Sequence, residues 1–201
     1  MIKLERMYIS NFKSISEFEL QFSKFTCLIG LNSSGKSTIL QAIDFIAQQM
    51  NGNFTKWLND RDWVASELNS KLTKKKIIVA QISFMHNESY CIWTSNFNPS
   101  LKKCTYEDIV MYDIADTDYK NPVSIFRVQN SKYKIIKDLE NSKILEGDII
   151  QDYEGSFLSS LKSEFLPQSL NEFKSYMDNI YSHVYINNFQ FKIYSRTIIF
   201  Q

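Results

Sequence analysis

Glycine and proline are scarce in this 201-residue chain, at 5 and 3 residues respectively. So few chain breakers exclude a linker-rich protein and point to long hairpins and packed strands. The 3 cysteines, Cys27, Cys91 and Cys104, lie far apart, and neither they nor the 2 histidines show metal-ligand spacing. That usage fits a reduced, cytoplasmic setting. No apolar run approaches the ~20 residues that cross a bilayer. The start, Met-Ile-Lys-Leu-Glu-Arg, lacks the short apolar core of a secretion signal. An excess of one charge is missing too: 23 basic against 22 acidic side chains leave a net +1. Bulk attraction to polyanions is therefore absent, although a local basic patch is still allowed.

Aromatic residues, by contrast, are abundant, with 15 Phe and 11 Tyr. A hydrophobic share of 44% beside 22% charged residues belongs to a soluble globular chain and excludes a wholly disordered one. The length allows a real core and one domain, at most with an appendage.

Periodicity divides the chain into three stretches of a single unit, 1–50, 51–152 and 153–201. Ile2 to Ile9 and Phe18 to Phe22 read as strands, and Phe25 to Ile29 as a short strand buried on both faces. Ile39, Leu40, Ile43, Ile46, Ala47 and Met50 recur at helical spacing, which predicts an amphipathic helix from Lys36 to about Met50, stopped by Asn51-Gly52. One or two short helices follow, with Trp57 and Trp63 as packing anchors. Hairpins are expected over 77–94 and over 124–136, the latter turning at Asn130-Ser131, with a strand from Thr105 to Ile114 between them. Beyond Gly155 the pattern turns helical, breaks at Leu166-Pro167, and resumes with Ser169 as the expected cap. The tail from Val184 reads as strand.

Gly30-Leu-Asn32-Ser33-Ser34-Gly35-Lys36-Ser37 fills every fixed position of the phosphate-binding pattern G-x-x-x-x-G-K-[ST]. Glycines let the backbone wrap an anion closely with its N–H groups inward, and the next helix adds the positive end of its dipole. Lys36 is then expected on the terminal phosphates of ATP and the Ser37 hydroxyl on Mg²⁺, with Asn32, Ser33, Ser34 and Thr38 completing the loop. The apolar run before the loop and the helix after it supply the context that this motif needs.

The order from Met7 to Ile46, with Asn11-Phe12-Lys13-Ser14 ahead of the loop, resembles the N-terminal lobe of the SMC/RecF/OLD-like branch of ABC-type P-loop ATPases. Ser33 stands where many members carry glycine. The resemblance implies an α/β fold, an ABC-ATPase-like N-terminal lobe with antiparallel hairpins and C-terminal helices, incomplete on its own. It also implies that Lys13 lies near the nucleotide. Tyr153 to Ile180 is similar to a segment of bacterial defence-associated ATPases of the Septu and retron type. By that likeness the position that senses Mg²⁺ falls at Glu154 or at Gln151, with Gln81 and Gln129 as poorer choices.

Hydrolysis in this group needs an acidic pair after an apolar strand and a Leu-Ser-x-Gly signature, and neither pattern occurs here; "FLSSLK" lacks the glycine. The expectation is a fragment, or a head completed by a second chain, that hydrolyses no ATP alone. Two functions follow: an ATP-binding lobe in DNA transactions or antiphage defence, partnered by copies of itself, a completing subunit, an effector nuclease or DNA; or a non-catalytic regulatory protein that binds full-length ATPases. A small-molecule kinase is disfavoured by the two strands ahead of the loop. Lys74-Lys75-Lys76 is either a solvated charge run, the commoner meaning of such runs, or a phosphate contact.

Overall fold

A computed structural model describes residues 2–113, 122–138, 143–184, 191–195 and 198–199. Alternating apolar residues build its main layer. On β3 (Ile78–His86), Ile78, Ala80, Ile82 and Phe84 are buried; on β4 (Ser89–Asn98), Cys91, Trp93, Ser95 and Phe97 are buried. These strands share an antiparallel sheet with β1 (Ile2–Phe12), β2 (Ile15–Gln21), β5 (Lys103–Asp113), β6 (Val123–Gln129), β7 (Lys132–Asp138) and β8 (Lys143–Asp148), in the order β2-β1-β3-β4-β5-β6-β7-β8. Between β6 and β7 the pairing of Gln129 with Lys132 leaves Asn130 and Ser131 at φ 53° and 58°, a two-residue type I′ turn. The other face is polar, as the row Tyr8, Gln81, Thr94, Asp108, Arg127 across five neighbouring strands illustrates.

One face carries the helices. Helix α1 (Lys36–Asn51) buries Ala42, Phe45, Ile46, Ala47 and Met50 and ends at Gly52, φ 72°. Phe45 is its anchor. Its ring lies 4.9 Å from Phe12 and 5.2 Å from Phe97, and 5.7 Å from Phe54 of α2 (Phe54–Asn59). Helix α3 (Phe157–Ser160) is capped by Ser156, whose hydroxyl accepts from the Leu158 N–H. Helix α4 (Gln168–Asp178) stacks Phe173 on Phe84 at 4.3 Å. Strands β9 (Tyr181–Val184), β10 (Phe191–Ser195) and β11 (Ile198–Ile199) form a separate three-stranded antiparallel sheet. The expected tail strand thus falls partly on these elements; its other residues, like Ile114, lie outside the described ones. No helix among the described residues is long and apolar enough to cross a membrane.

Two expectations change. Phe25 to Ile29 is not a strand: among the described residues it joins neither sheet. Its residues alternate between half-buried (Thr26, Leu28) and exposed (Phe25, Cys27, Ile29), with Ile29 at 89% exposure. Ser169 is not a cap either; Pro167 occupies that place, because its missing N–H is no loss at a helix start.

A buried polar network ties α1, β5 and α3 together. Glu107 accepts from the Ser156 hydroxyl and the Phe157 N–H, both at 2.6 Å. The Gln49 carbonyl accepts from the Ser156 N–H, and the Gln49 side chain accepts from Ser95 and Cys104. Gly155, φ 71°, passes so close that a Cβ there would meet the Gln49 carbonyl oxygen at 2.4 Å. Burial pushes the Glu107 carboxyl up to about 7, against its two hydrogen bonds, which favour the charged form. The folded chain therefore holds a proton that the unfolded chain has already released, and stability falls as pH rises from the ordinary glutamate range to about 7. Glu107→Gln keeps the shape without the charge. Denaturant titrations at pH 5 and pH 8 are expected to show stability moving in favour of the variant by roughly 3 kcal/mol across that interval; a difference independent of pH would contradict the assignment.

Candidate functional site

The loop from Gly30 to Thr38 leads directly into the first turn of α1. Gly35 sits at its hinge with φ 89°, in the left-handed region, where a side chain would be strained although nothing lies within 4 Å of the Cβ position. The space in front of the hinge is open. Ser33 is also left-handed, at φ 65°, which accounts for glycine at this position in many similar loops. The Ser34 N–H closes a turn on the Leu31 carbonyl at 3.2 Å.

Lys36 folds back over this turn. Its Nζ donates to the carbonyls of Gly30 at 2.8 Å and Leu31 at 2.7 Å, and to the Ser34 hydroxyl at 3.3 Å. The charged tip is thereby held above the loop. The N–H groups of Lys36, Ser37 and Thr38 belong to the first helical turn and have no acceptor within the helix. Asn32 and Ser37 are exposed. Backbone amides, a dipole end and a lysine tip make a donor set that fits a polyphosphate, and the exposed Ser37 hydroxyl fits one position of a phosphate-bound Mg²⁺. Among the described residues no cluster of three or more His, Cys, Asp or Glu forms a protein-only metal site.

The turn between β1 and β2 flanks this loop. Ser14 Oγ donates to Thr38 Oγ1 at 3.1 Å, and Lys13 Nζ donates to Gln41 Oε1 at 3.0 Å. Lys13 also lies over the Trp63 ring, 2.8 Å from its centre. Burial, and then the neighbouring Arg61, push the Lys13 ammonium down to about 8. Arg61 is itself held at 2.7 Å by Asp44, which accepts from Trp57 Nε1 at 3.0 Å. Lys13 is thus brought to the flank of α1 about a turn and a half beyond Lys36.

Glu154 and Gln151 are not brought to the loop, which corrects the reading of either as a metal sensor. The Glu154 carboxylate accepts from the Thr55 N–H at 2.8 Å and from the Thr55 hydroxyl, and its carbonyl lies beside Gly52. That is the opposite end of α1, about 20 Å from the phosphate loop at 1.5 Å per residue. Gln151 is exposed and donates to Ser160 at 3.2 Å. Gln81 lies mid-strand on β3, bonded to Thr94, and Gln129 ends β6.

Asn11 was not foreseen as a working residue. It is fully buried at φ 63°, and its side chain donates to the carbonyls of Lys75 and Ile77, both at 2.9 Å, while accepting from the Ser70 N–H at 3.2 Å and the Thr73 hydroxyl at 2.5 Å. One asparagine therefore pins the whole segment 70–77. Its only signal in the sequence is a place in the Asn-Phe-Lys-Ser element.

Among curated proteins, none matches this chain. The family model described as AAA ATPase domain matches residues 2–200, a span that holds the loop, the flanking turn and the sheet beneath them. With a nucleotide-type phosphate loop built on a mixed α/β frame and that match over nearly its whole length, the chain belongs to the AAA ATPase domain family.

Proposed function

We propose that this chain is the Mg-ATP-binding lobe of an SMC/RecF-like ATPase head that acts in DNA transactions or antiphage defence together with a partner. The observation that carries the reading is the posture of Lys36 above a loop whose helix-side amides lack intrahelical acceptors. On binding, Lys36 exchanges the Gly30 and Leu31 carbonyls for phosphate oxygens, the amides of Lys36 to Thr38 donate to the same anion, and Ser37 offers its hydroxyl to the cation. Mg²⁺, when bound, supplies charge neutralisation between phosphates. Lys13, already partly desolvated and one and a half turns away, stands where it can approach the nucleotide.

Partner association draws support from the segment ahead of the loop. Phe25, Ile29 and Leu31 are exposed at 57%, 89% and 85%. An exposed apolar stretch is a surface that another chain is apt to cover. A second copy or a completing subunit fits; a regulatory chain that docks on full-length ATPases uses the same surface.

Three outcomes are expected. Calorimetry with Mg-ATP gives binding to the wild-type chain, weakened about 10- to 100-fold in Lys36→Ala, because a hydrogen bond to a charged group contributes about 1.5–3 kcal/mol. Gly35→Ala forces a Cβ into the left-handed region at about 1–2 kcal/mol, so it lowers both the thermal midpoint and the affinity. The purified chain shows no measurable phosphate release, since no Asp-Glu pair follows an apolar strand. Wild-type and Lys36→Ala proteins with equal titration curves would overturn the nucleotide reading; turnover abolished by Lys36→Ala would overturn the claim of inactivity.

A further inference from the structure

We infer that the loop from Lys71 to Lys76 is a docking surface for the phosphodiester backbone of nucleic acid, read without regard to base sequence. This deepens the DNA part of the function proposed above and stands on residues outside the nucleotide loop. Four of six residues, Lys71, Lys74, Lys75 and Lys76, are lysine, and all four are exposed. A solvated charge run of the ordinary kind is mobile or neutralised by acids. This one follows a backbone path held by buried hydrogen bonds, and among the described residues only Lys75 has an acidic partner.

Its path is fixed by the buried Asn11, which takes the Lys75 and Ile77 carbonyls on one end and Ser70 and Thr73 on the other. The backbone adds the Ser70 N–H to the Asn11 carbonyl at 3.2 Å and the Lys13 N–H to the Leu68 carbonyl at 2.8 Å. Of the four lysines, Lys75 alone has an ion pair among the described residues, with Glu17 at 3.6 Å, and both side chains of that pair are exposed. A buried asparagine held in a left-handed conformation is a costly way to shape a surface loop, and what it shapes is a line of cations.

The side-chain chemistry selects the partner. Lysines are flexible point charges, and without an arginine fork the loop has no planar, bidentate grip for a single phosphopeptide group or a guanine edge. Several cations in a row suit a polymer with a phosphate at every step, where release of condensed counterions drives binding. A lipid surface fits less well: Leu72 is the one apolar residue in the run, with no aromatic beside it to enter the headgroup layer.

The test measures fluorescence anisotropy of a labelled 30-base-pair duplex and of one of its single strands, with the full chain, from 50 to 200 mM KCl. Binding is expected for both, weakening linearly in log salt, with slopes of about 0.9 per phosphate contact for duplex and 0.7 for single strand. The triple variant Lys74→Gln, Lys75→Gln, Lys76→Gln should bind at least 10-fold more weakly at 50 mM KCl, with the slope reduced by about 2 to 3. Asn11→Gly keeps the backbone conformation and every lysine but frees the loop; a several-fold loss is expected. Lys36→Ala should leave these curves unchanged while weakening Mg-ATP binding about 10- to 100-fold, so that failure of one site is told apart from failure of the other. Absence of binding at 50 mM KCl, or a triple variant with unaltered affinity and slope, would overturn the inference. Retention on vesicles of anionic lipid without any binding of duplex or strand would overturn it in favour of a membrane, and an unaffected Asn11→Gly protein would remove the clamp from the account.

Discussion

The docking of α1 through Phe45 is the constraint on which the other features rest. That ring sits among Phe12, Phe54 and Phe97 with tilted and edge-on partners, a geometry that fixes rotation of the helix as well as its depth. Burying a phenylalanine of this kind is worth on the order of 3–5 kcal/mol when it is removed to alanine, which exceeds any surface interaction in the chain. With rotation fixed, three functions are distributed along one helix. Its N-terminus aims the amides behind Gly35, its flank receives Ser14 and Lys13, and its C-terminal carbonyl at Gln49 clamps Ser156. A twist of the helix would disturb all three at once.

What was legible in the sequence is what depends on neighbours close in the chain. The apolar stripe of α1, its Gly52 stop, the Asn130-Ser131 turn and the loop itself are local patterns with local causes, and the structure carries them. The segment Phe25 to Ile29 shows the opposite case. Its apolar run is real, but burial depends on what the rest of the chain places beside it, which composition does not record. Strand β8, Lys143-Ile-Leu-Glu-Gly-Asp148, gives no clean alternation and is held chiefly by pairing with β7. Glu154 misled for a related reason: a position after Tyr153 and before Gly155 looks like a sensor loop, yet the tight passage of Gly155 against Gln49 brings it to the far end of α1, where it caps α2 through Thr55.

The buried polar residues divide by what they hold. Glu107 and Gln49 join three elements whose backbones would otherwise meet with unsatisfied groups, and a carboxylate there is tolerated because two donors point at it. Among the described residues the Gln49 amide nitrogen finds no partner. Asp108 plays the matching part on the polar face, where Arg127 at 2.7 Å and Ser124 at 2.6 Å bind β5 to β6. Neither group bonds to the phosphate loop; both tie together the elements on which α1 rests.

The Asn11-Phe12-Lys13-Ser14 element resolves into four separate tasks. Asn11 shapes the basic loop, Phe12 packs on Phe45, Lys13 lies between Gln41 and Trp63, and Ser14 bonds the residue after the loop serine. Consecutive residues on a strand point to opposite faces, so a strand end is suited to address the core and the surface in alternate steps. Two left-handed residues, Asn11 at 63° and Lys13 at 48°, break that alternation and turn the four side chains toward four different neighbours. The consequence is mechanical. Any force on the lysines of 71–76 reaches Asn11 through two carbonyls, and Asn11 is three peptide bonds from the serine that touches Thr38. The basic loop and the Gly30–Thr38 loop thus hang from the same turn, and a shift in either is felt where Phe12 packs on Phe45.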